Sequence, residues 1–436
     1  MAMLRKIAKA AAIALMLTPV SAEPQVLRPA GGLANDLGRL TNGALNDVQT
    51  ATQGALSQTE SAANRALMSP NALLDQREDR LHRIVARHPR ELELDERGQM
   101  AVRGAVLGLS PSPEALARAL AAGFTVESRL EIAPGETAIS LRAPAGVSAR
   151  EGLKRLRALD PRGRYDYDHV YEPGGAVGVG AGIEALSGVG APRVIVGMVD
   201  GGMDLAHPAF AHARISVEGF APGGARPSAH GTAVAFLMVG EARGYRAAAA
   251  GAQLFAADVY GASPMGGSVE AIVRALLWLQ SEHAAVVNIS LVGPPNLILQ
   301  ATVARMTAAG EVLVAPVGND GPAAPPAYPA AYPGVVAAIP VDARQQLLLE
   351  SGRLAKPCFT APGADMAAAS LGGGLAPVRG SSFAAPVVAA HIAAALAATR
   401  DARLAIQAVA ASALHRGEAP FGLGLVGWTD RAPARF

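Results

Sequence analysis

Two kinds of hydrophobic spacing divide this chain. From Val194 onward, short, mainly apolar runs recur: Val194–Val199, Leu254–Val259, Val286–Leu291, Val312–Val317 and Val335–Ile339. Runs of this length without alternation mark strands covered on both faces, as in a parallel sheet. Between them, Val269–Glu282 and Leu297–Ala309 carry the longer patterns of helices. The alternation predicts an α/β domain with right-handed crossovers, whose chemistry belongs at the carboxyl ends of its strands.

Ahead of that region the spacing changes. Residues 104–171 predict a strand at Val106–Leu109, a helix at Pro113–Ala122, and strands at Phe124–Ile132 and Glu136–Arg142. A helix at Ser148–Leu159 and a last strand at Tyr165–Tyr171 complete the ferredoxin-like order. Ser148, three residues before Glu151, predicts a capping box. A Gly-rich linker runs from Pro173 to Gly182. Further upstream, Leu33, Leu37, Leu40, Ala44 and Val48 give residues 31–68 a helical period. Gly38, Gly43 and Gly54 weaken that helix, so the segment is expected to order only against a partner. Ser69-Pro70 breaks it, and a second, charged helix is expected over Leu73–Arg87.

Composition narrows the class. Of the 436 residues 50% are hydrophobic, only 4% aromatic and 17% charged, so the chain can bury a large core of small aliphatic side chains. That excludes a disordered chain, and glycines without a three-residue period exclude collagen. A single cysteine, Cys358, rules out an intramolecular disulfide and a Cys-rich zinc module. Charge density over 181–436 is about half that over 23–180, as a larger domain with more interior requires.

The first 22 residues read as a Sec-type signal peptide. Arg5, Lys6 and Lys9 precede the apolar run Ala10–Leu17, and Val20-Ser21-Ala22 supplies small residues one and three places before a cut. Removing those three cations takes the formal charge from +2 to −1, which leaves no strong field to attract nucleic acid or anionic lipid. No later stretch reaches the length of a bilayer span; Ala384–Ala398 comes nearest and is interrupted by Pro386 and His391. The expectation is an exported protein, periplasmic or secreted, with no stable membrane anchor and no nucleic-acid partner.

Four short motifs lie at element ends of the predicted parallel sheet. The run Val194–Val199 delivers Asp200-Gly201-Gly202, a carboxylate placed to orient an imidazole. His230-Gly231-Thr232 opens the apolar run Ala233–Val239. Val317-Gly318-Asn319-Asp320-Gly321 follows a strand, where an Asn amide can donate to an oxyanion. Gly380-Ser381-Ser382-Phe383-Ala384-Ala385-Pro386 opens a helix running to about Ala398, and Pro386 is expected within its first turn. A serine there feels the positive end of the helix and has an unpaired backbone N–H. Taken singly, each motif has an ordinary reading as a capping or turn residue.

In the order Asp, His, Asn, Ser, the four segments resemble the subtilisin-like serine proteases, the subtilases. The resemblance covers about 181–430 and implies a parallel-sheet, subtilisin-like α/β catalytic domain. It implies Asp200 as orienting acid, His230 as general base and acid, Ser382 as nucleophile and Asn319 as oxyanion donor. Val287–Leu291 is similar to the strand that pairs with substrate, which makes Ser290, Leu291, Val292 and Gly293 substrate-binding residues, with Ala315 and Pro316 on the pocket for the residue before the cut. Phe421–Val426 is similar to the family's closing motif. Gly201 stands where the family has Ser or Thr, Ser381 replaces Thr, and Ala233 and Phe236 replace His and Gly after the catalytic His. Ala315-Pro316-Val317 is bulkier than the family's Ala/Gly wall, and no acid in the matched segments calls for Lys or Arg.

The α+β unit resembles the family's propeptide, an inhibitor of its own enzyme, with a cut near Glu172–Gly182; the rival reading is a permanently attached interaction domain. The implied layout is a signal peptide (1–22), a helical, partly flexible extension (23–100), a propeptide-like domain (101–172), a linker and start of the mature enzyme (173–192), and a catalytic domain (193–436). The activity implied is a serine endopeptidase acting on protein or peptide substrates through an acyl-enzyme, made as a self-inhibited precursor. No cofactor is required for that chemistry; calcium stabilises many family members, and the sequence assigns no ligands to it. The main alternative is a catalytically silent subtilase fold acting as an envelope binding protein. An α/β-hydrolase esterase is excluded, since neither Gly-x-Ser-x-Gly nor the order Ser, Asp, His is present. Residues 31–100 as a docking module are compatible with the protease reading.

Overall fold

The computed structural model describes residues 70–428, apart from 179–180, 183–193, 243 and 264–265. The basic start, its apolar run and the helical pattern over 31–68 lie outside the described residues.

Helix α1 (Pro70–Arg87) comes first, and the predicted charged helix falls inside it. It buries Leu73 and Leu81. Five strands follow as one antiparallel sheet: β1 (Leu92–Leu94), β2 (Met100–Leu109), β3 (Thr125–Ala133), β4 (Glu136–Arg142) and β5 (Arg164–His169). β2 pairs with β1, β4 and β5, and β3 pairs with β4. Helix α2 (Pro113–Ala121) starts at Ser112, whose hydroxyl accepts the Ala115 N–H, with Pro113 in the first turn where no N–H partner is needed. Helix α3 (Ala149–Leu159) starts at Ser148, which accepts the Glu151 N–H at 3.2 Å. Only this half of the predicted capping box forms, because the Glu151 carboxylate pairs with Arg155 one turn on.

Alternation along the sheet assigns its two faces. Val106, Ile139 and Leu141 pack with Leu153 and Leu156 of α3. Leu107, Leu109, Ile132 and Ala138 point the other way and share a buried cluster with Ile272, Leu276, Ile298 and Val303 from the following domain. The sheet is therefore sandwiched between its own helices and those of its neighbour.

The connecting segment carries β6 (Glu172–Pro173), β7 (Ala176–Val177) and β8 (Ala181–Gly182). Next come β9 (Ile195–Asp200), β10 (Arg214–Gly219), helix α4 (Ala229–Val239) and the ribbon β11 (Glu241–Ala242) and β12 (Tyr245–Arg246). β13 (Gln253–Asp258), α5 (Val269–Ser281), β14 (Val286–Ile289) and β15 (Leu291–Val292) follow. The chain continues through α6 (Leu297–Ala309), β16 (Val312–Pro316), β17 (Val336–Val341) and β18 (Phe359–Pro362). The described elements end with β19 (Met366–Ala369), β20 (Gly374–Arg379), α7 (Ser381–Thr399), α8 (Ala402–Ser412) and β21 (Gly424–Leu425).

Eight of these strands form one parallel sheet in the order β10-β13-β9-β14-β16-β17-β18-β21. All five apolar runs lie in it, and the strand order reverses beside β9, placing the ends of β9, β14 and β16 around one crevice. α7 lies over β14, β16, β17 and β18, and its side chains from Ser381 to Ala390 are buried. It is long and apolar enough to cross a bilayer, but burial within the domain accounts for that composition.

Pro386 falls at the sixth position of α7, beyond the first turn expected for it. A proline there cannot donate to the carbonyl four residues back, which belongs to Ser382. The Ser290 hydroxyl donates to that carbonyl at 3.0 Å and accepts in turn from Asn288 Nδ2 at 2.7 Å. The break in the helix ladder is thus satisfied from β14 and the residue that follows it, which ties the sheet to the serine.

Candidate active site

Asp200 is the last residue of β9 and is fully buried. Its carboxylate accepts the Gly201 N–H at 2.6 Å and faces His230 Nδ1, 2.9 Å from both oxygens. A carboxylate facing Nδ1 with both oxygens keeps the proton there and leaves Nε2 free to accept. His230 Nε2 lies 2.8 Å from Ser382 Oγ.

Local sequence explains how each group reaches its place. His230 sits in the first turn of α4, started by Ser228, whose hydroxyl accepts the Gly231 N–H and donates to the Gly202 carbonyl. Gly231 lets the helix meet the 200–202 turn closely, since a Cβ there would stand 2.2 Å from the Gly201 carbonyl oxygen. The non-family residues Ala233 and Phe236 are both fully buried. Phe236 stacks on Tyr245 with ring centroids 4.6 Å apart, so apolar packing fills that side of the helix. The His230 ring rests against Phe383 at 5.2 Å.

Asn319 follows β16 and is held by a reciprocal pair. Its Oδ1 accepts the Ser381 N–H at 2.9 Å, while Ser381 Oγ accepts the Gly318 N–H at 3.1 Å. With Oδ1 committed to a donor, Nδ2 turns toward the serine. There it donates to the carbonyl of Gly174, which also accepts the Ser382 N–H at 3.0 Å. Ser381, where the family has Thr, supplies the same hydroxyl.

The chain itself therefore occupies the crevice. β6 pairs antiparallel with β15, setting Pro173 against Leu291 and Glu172 against Val292. Gly174 N–H points at the Ser290 carbonyl, 3.5 Å away. Tyr171 donates its N–H to the Gly267 carbonyl at 2.8 Å, and its buried ring packs against Gly293 with its hydroxyl on the Pro294 carbonyl. Beyond Gly175, β7 pairs antiparallel with Val378–Arg379 of β20. Of the residues assigned to substrate binding, Ser290, Leu291, Val292, Gly293 and Pro316 border this segment. Ala315 is fully buried in a cluster with Leu313, Val317, Leu291 and Tyr171.

Two features escaped the sequence pattern. Arg77 and Arg80 of α1 reach across to Asp320, beside Asn319, and Arg80 also pairs with both oxygens of Glu172. The Arg379 guanidinium, just before Gly380, makes a bidentate pair with buried Glu350, and Glu350 O accepts the Gly321 N–H. Charged residues so far apart in the chain give no local signal of pairing. Elsewhere on the contact surface, Asp166 and Asp168 of β5 accept the backbone N–H groups of Leu297 and Glu270 at the starts of α6 and α5. Burial pushes the Asp168 carboxyl up to about 7. Among the described residues no group of three or more His, Cys, Asp or Glu side chains gathers as a metal site.

Known proteins resemble this chain in sequence and in fold. A model of the subtilase family matches residues 192–415. Subtilisin E of Bacillus subtilis is 28% identical over 269 residues, covering 57% of this chain and 69% of its own. A mutant of the protease domain of PatA is 26% identical with a TM-score of 0.50, covering 55% of this chain and 94% of that one. Fervidolysin from Fervidobacterium pennivorans shares 18% identity with a TM-score of 0.63 over 79% of this chain and 63% of its own, so the fold likeness extends beyond the family-matched residues.

Proposed function

We propose that this chain, which belongs to the subtilase family, is a serine endopeptidase made as a precursor that holds and cuts its own Gly174–Gly175 bond. One observation carries the reading. The Gly174 carbonyl accepts from both the Ser382 N–H and Asn319 Nδ2, while Ser382 Oγ stands on His230 Nε2. Two donors on one carbonyl oxygen beside a serine–imidazole pair are what stabilises a tetrahedral oxyanion.

On this reading Ser382 Oγ attacks the Gly174 carbonyl carbon and its proton passes to His230 Nε2. The Gly174 oxygen takes the negative charge between the two donors. His230 then gives the proton to the Gly175 nitrogen as the C–N bond breaks, leaving Gly174 as an ester on Ser382. Water, deprotonated by His230, hydrolyses that ester. Asp200 keeps the imidazole oriented throughout.

Residues 101–172 act here as the inhibitor of their own enzyme. Support comes from the sheet seated on α5 and α6 and from the likeness to fervidolysin over more than the catalytic region. The basic, apolar N-terminal pattern supports export to the periplasm or beyond. Calcium as a structural ion stays part of the proposal through the family alone.

The test is fluorophosphonate labelling of purified protein beside Ser382→Ala, with intact mass on both. Labelling of the wild type alone, with a mass matching a new terminus at Gly175, is expected. A folded wild type that takes no label, even after limited proteolysis of the N-terminal region, overturns the reading in favour of a silent binding fold.

A further inference from the structure

The segment lying in the crevice also shows what the crevice excludes. A Cβ built on Gly175 would stand 2.5 Å from Phe383 Cε2 and 2.5 Å from Ser382 Oγ. Neither atom can retreat: Ser382 is the attacking group, and the Phe383 ring is fully buried with His230 against it. Moving that ring would displace the imidazole. Beneath the same peptide lies Gly380, at φ 139°, where a Cβ would meet Gly175 Cα and the Gly174 oxygen at 2.6 Å. The two backbones pass each other with no room for a side chain on either.

The acyl side is narrow in a different way. A Cβ on Gly174 would make ordinary contacts with Ser382 Cβ, Ser381 Oγ and Pro316 Cγ, at 3.4, 3.5 and 3.6 Å, so a methyl group fits. A larger side chain would need a way out past the Pro316 ring. A cavity of about 650 Å³ lies nearby, bordered by Glu172, Val292, Asp320 and Tyr328, yet neither Gly174 nor Pro316 lies on its wall. Val292 and Ala327 both pack on Gly318: a Cβ there would lie 3.9 Å and 3.3 Å from them. Val292 and Ala327 stand on the cavity's wall, between that space and Gly318.

Resting on the peptidase reading above, we propose that this enzyme cleaves bonds with glycine on the leaving side and glycine or alanine on the acyl side, Phe383 imposing the first rule and Pro316 with Val292 the second. Its substrates are proteins presenting Gly–Gly or Ala–Gly in an extended stretch, since the chain is paired as a strand on both sides of the bond, on β15 and on β20.

The probes are internally quenched peptides spanning Tyr-Glu-Pro-Gly-Gly-Ala-Val, with Gly-Gly, Ala-Gly, Gly-Ala, Gly-Leu or Phe-Gly at the bond. They are offered to the matured enzyme after its active sites have been counted with a fluorophosphonate. Gly-Gly and Ala-Gly should be cut comparably, and the other three with kcat/KM lower by about 100-fold. Phe383→Ala should raise the Gly-Ala to Gly-Gly ratio, and Pro316→Ala with Val292→Gly the Phe-Gly to Gly-Gly ratio. A loss of folding or overall activity leaves both ratios where they were. In the precursor, Gly175→Ala should stall the self-cut. A titrating enzyme that cuts Gly-Ala and Phe-Gly as fast as Gly-Gly overturns this specificity and leaves the peptidase standing. A folded protein that does not titrate overturns the peptidase and this inference with it.

Discussion

Asn319 shows how a side chain of modest strength becomes decisive through what holds it. Its carboxamide oxygen is spoken for by the Ser381 N–H, so its amide can face only Gly174. Removing the amide in Asn319→Ala should slow appearance of the Gly175 terminus by about 10²–10³-fold, followed by mass spectrometry, with the far-UV spectrum unchanged. Ser290 teaches the complementary lesson. Its hydroxyl caps the Ser382 carbonyl that Pro386 leaves open, so Ser290→Ala buries an unpaired acceptor on Ser382 itself. We expect a loss of about 1–3 kcal/mol in urea unfolding of the Ser382→Ala background. The sequence carried the four chemical groups legibly because each stands at the end of an apolar run. It could not show that Pro386 lies past the first turn, because the start of α7 at Ser381 is set by Asn319 and Gly318, some sixty residues away.

Among the elements, legibility followed burial. Central strands β9, β13, β14, β16 and β17 are apolar on both faces and were readable as runs. β10 is an edge strand with one neighbour, and its Arg-Ile-Ser-Val-Glu alternates polar and apolar instead of forming the apolar run that marks the central strands. β18 and β21 are too short for a period, and β6 and β7 exist only because β15 and β20 supply partners. The contact of β5 with α5 yields a prediction about pH. Asp168 titrates near 7 in the folded protein against an ordinary 3.8. Between those values the folded state keeps a proton that the unfolded chain has lost, so this group makes stability fall as pH rises from about 4 to about 7. In a Ser382→Ala precursor, Asp168→Asn should flatten that part of the Tm profile. An unchanged slope between pH 4 and 7 would remove Asp168 as its source.

At the scale of the molecule, three parts of the N-terminal region grip the subtilase domain: the sheet on α5 and α6, the strand β6 on β15, and α1 through Arg77 and Arg80. The arginines are partly exposed, so each pair contributes modestly, and their effect lies in coupling Glu172 to Asp320 beside Asn319. Replacing both by alanine should speed departure of the cut segment by about tenfold, read as the rate at which peptide hydrolysis appears after cleavage is complete.

That arginine clamp has a consequence in time. Both of its acidic partners, Glu172 and Asp320, lie outside the broken bond: Glu172 is on the departing side and Asp320 on the retained side, and cutting between Gly174 and Gly175 touches neither. On the self-cutting reading, cleavage and opening are therefore separate events with separate clocks. A population of these molecules would finish cutting itself while still silent, then switch on after a lag. The first molecules to open could shorten that lag for the rest by destroying the segments that have already come loose, so that activity would rise as a burst.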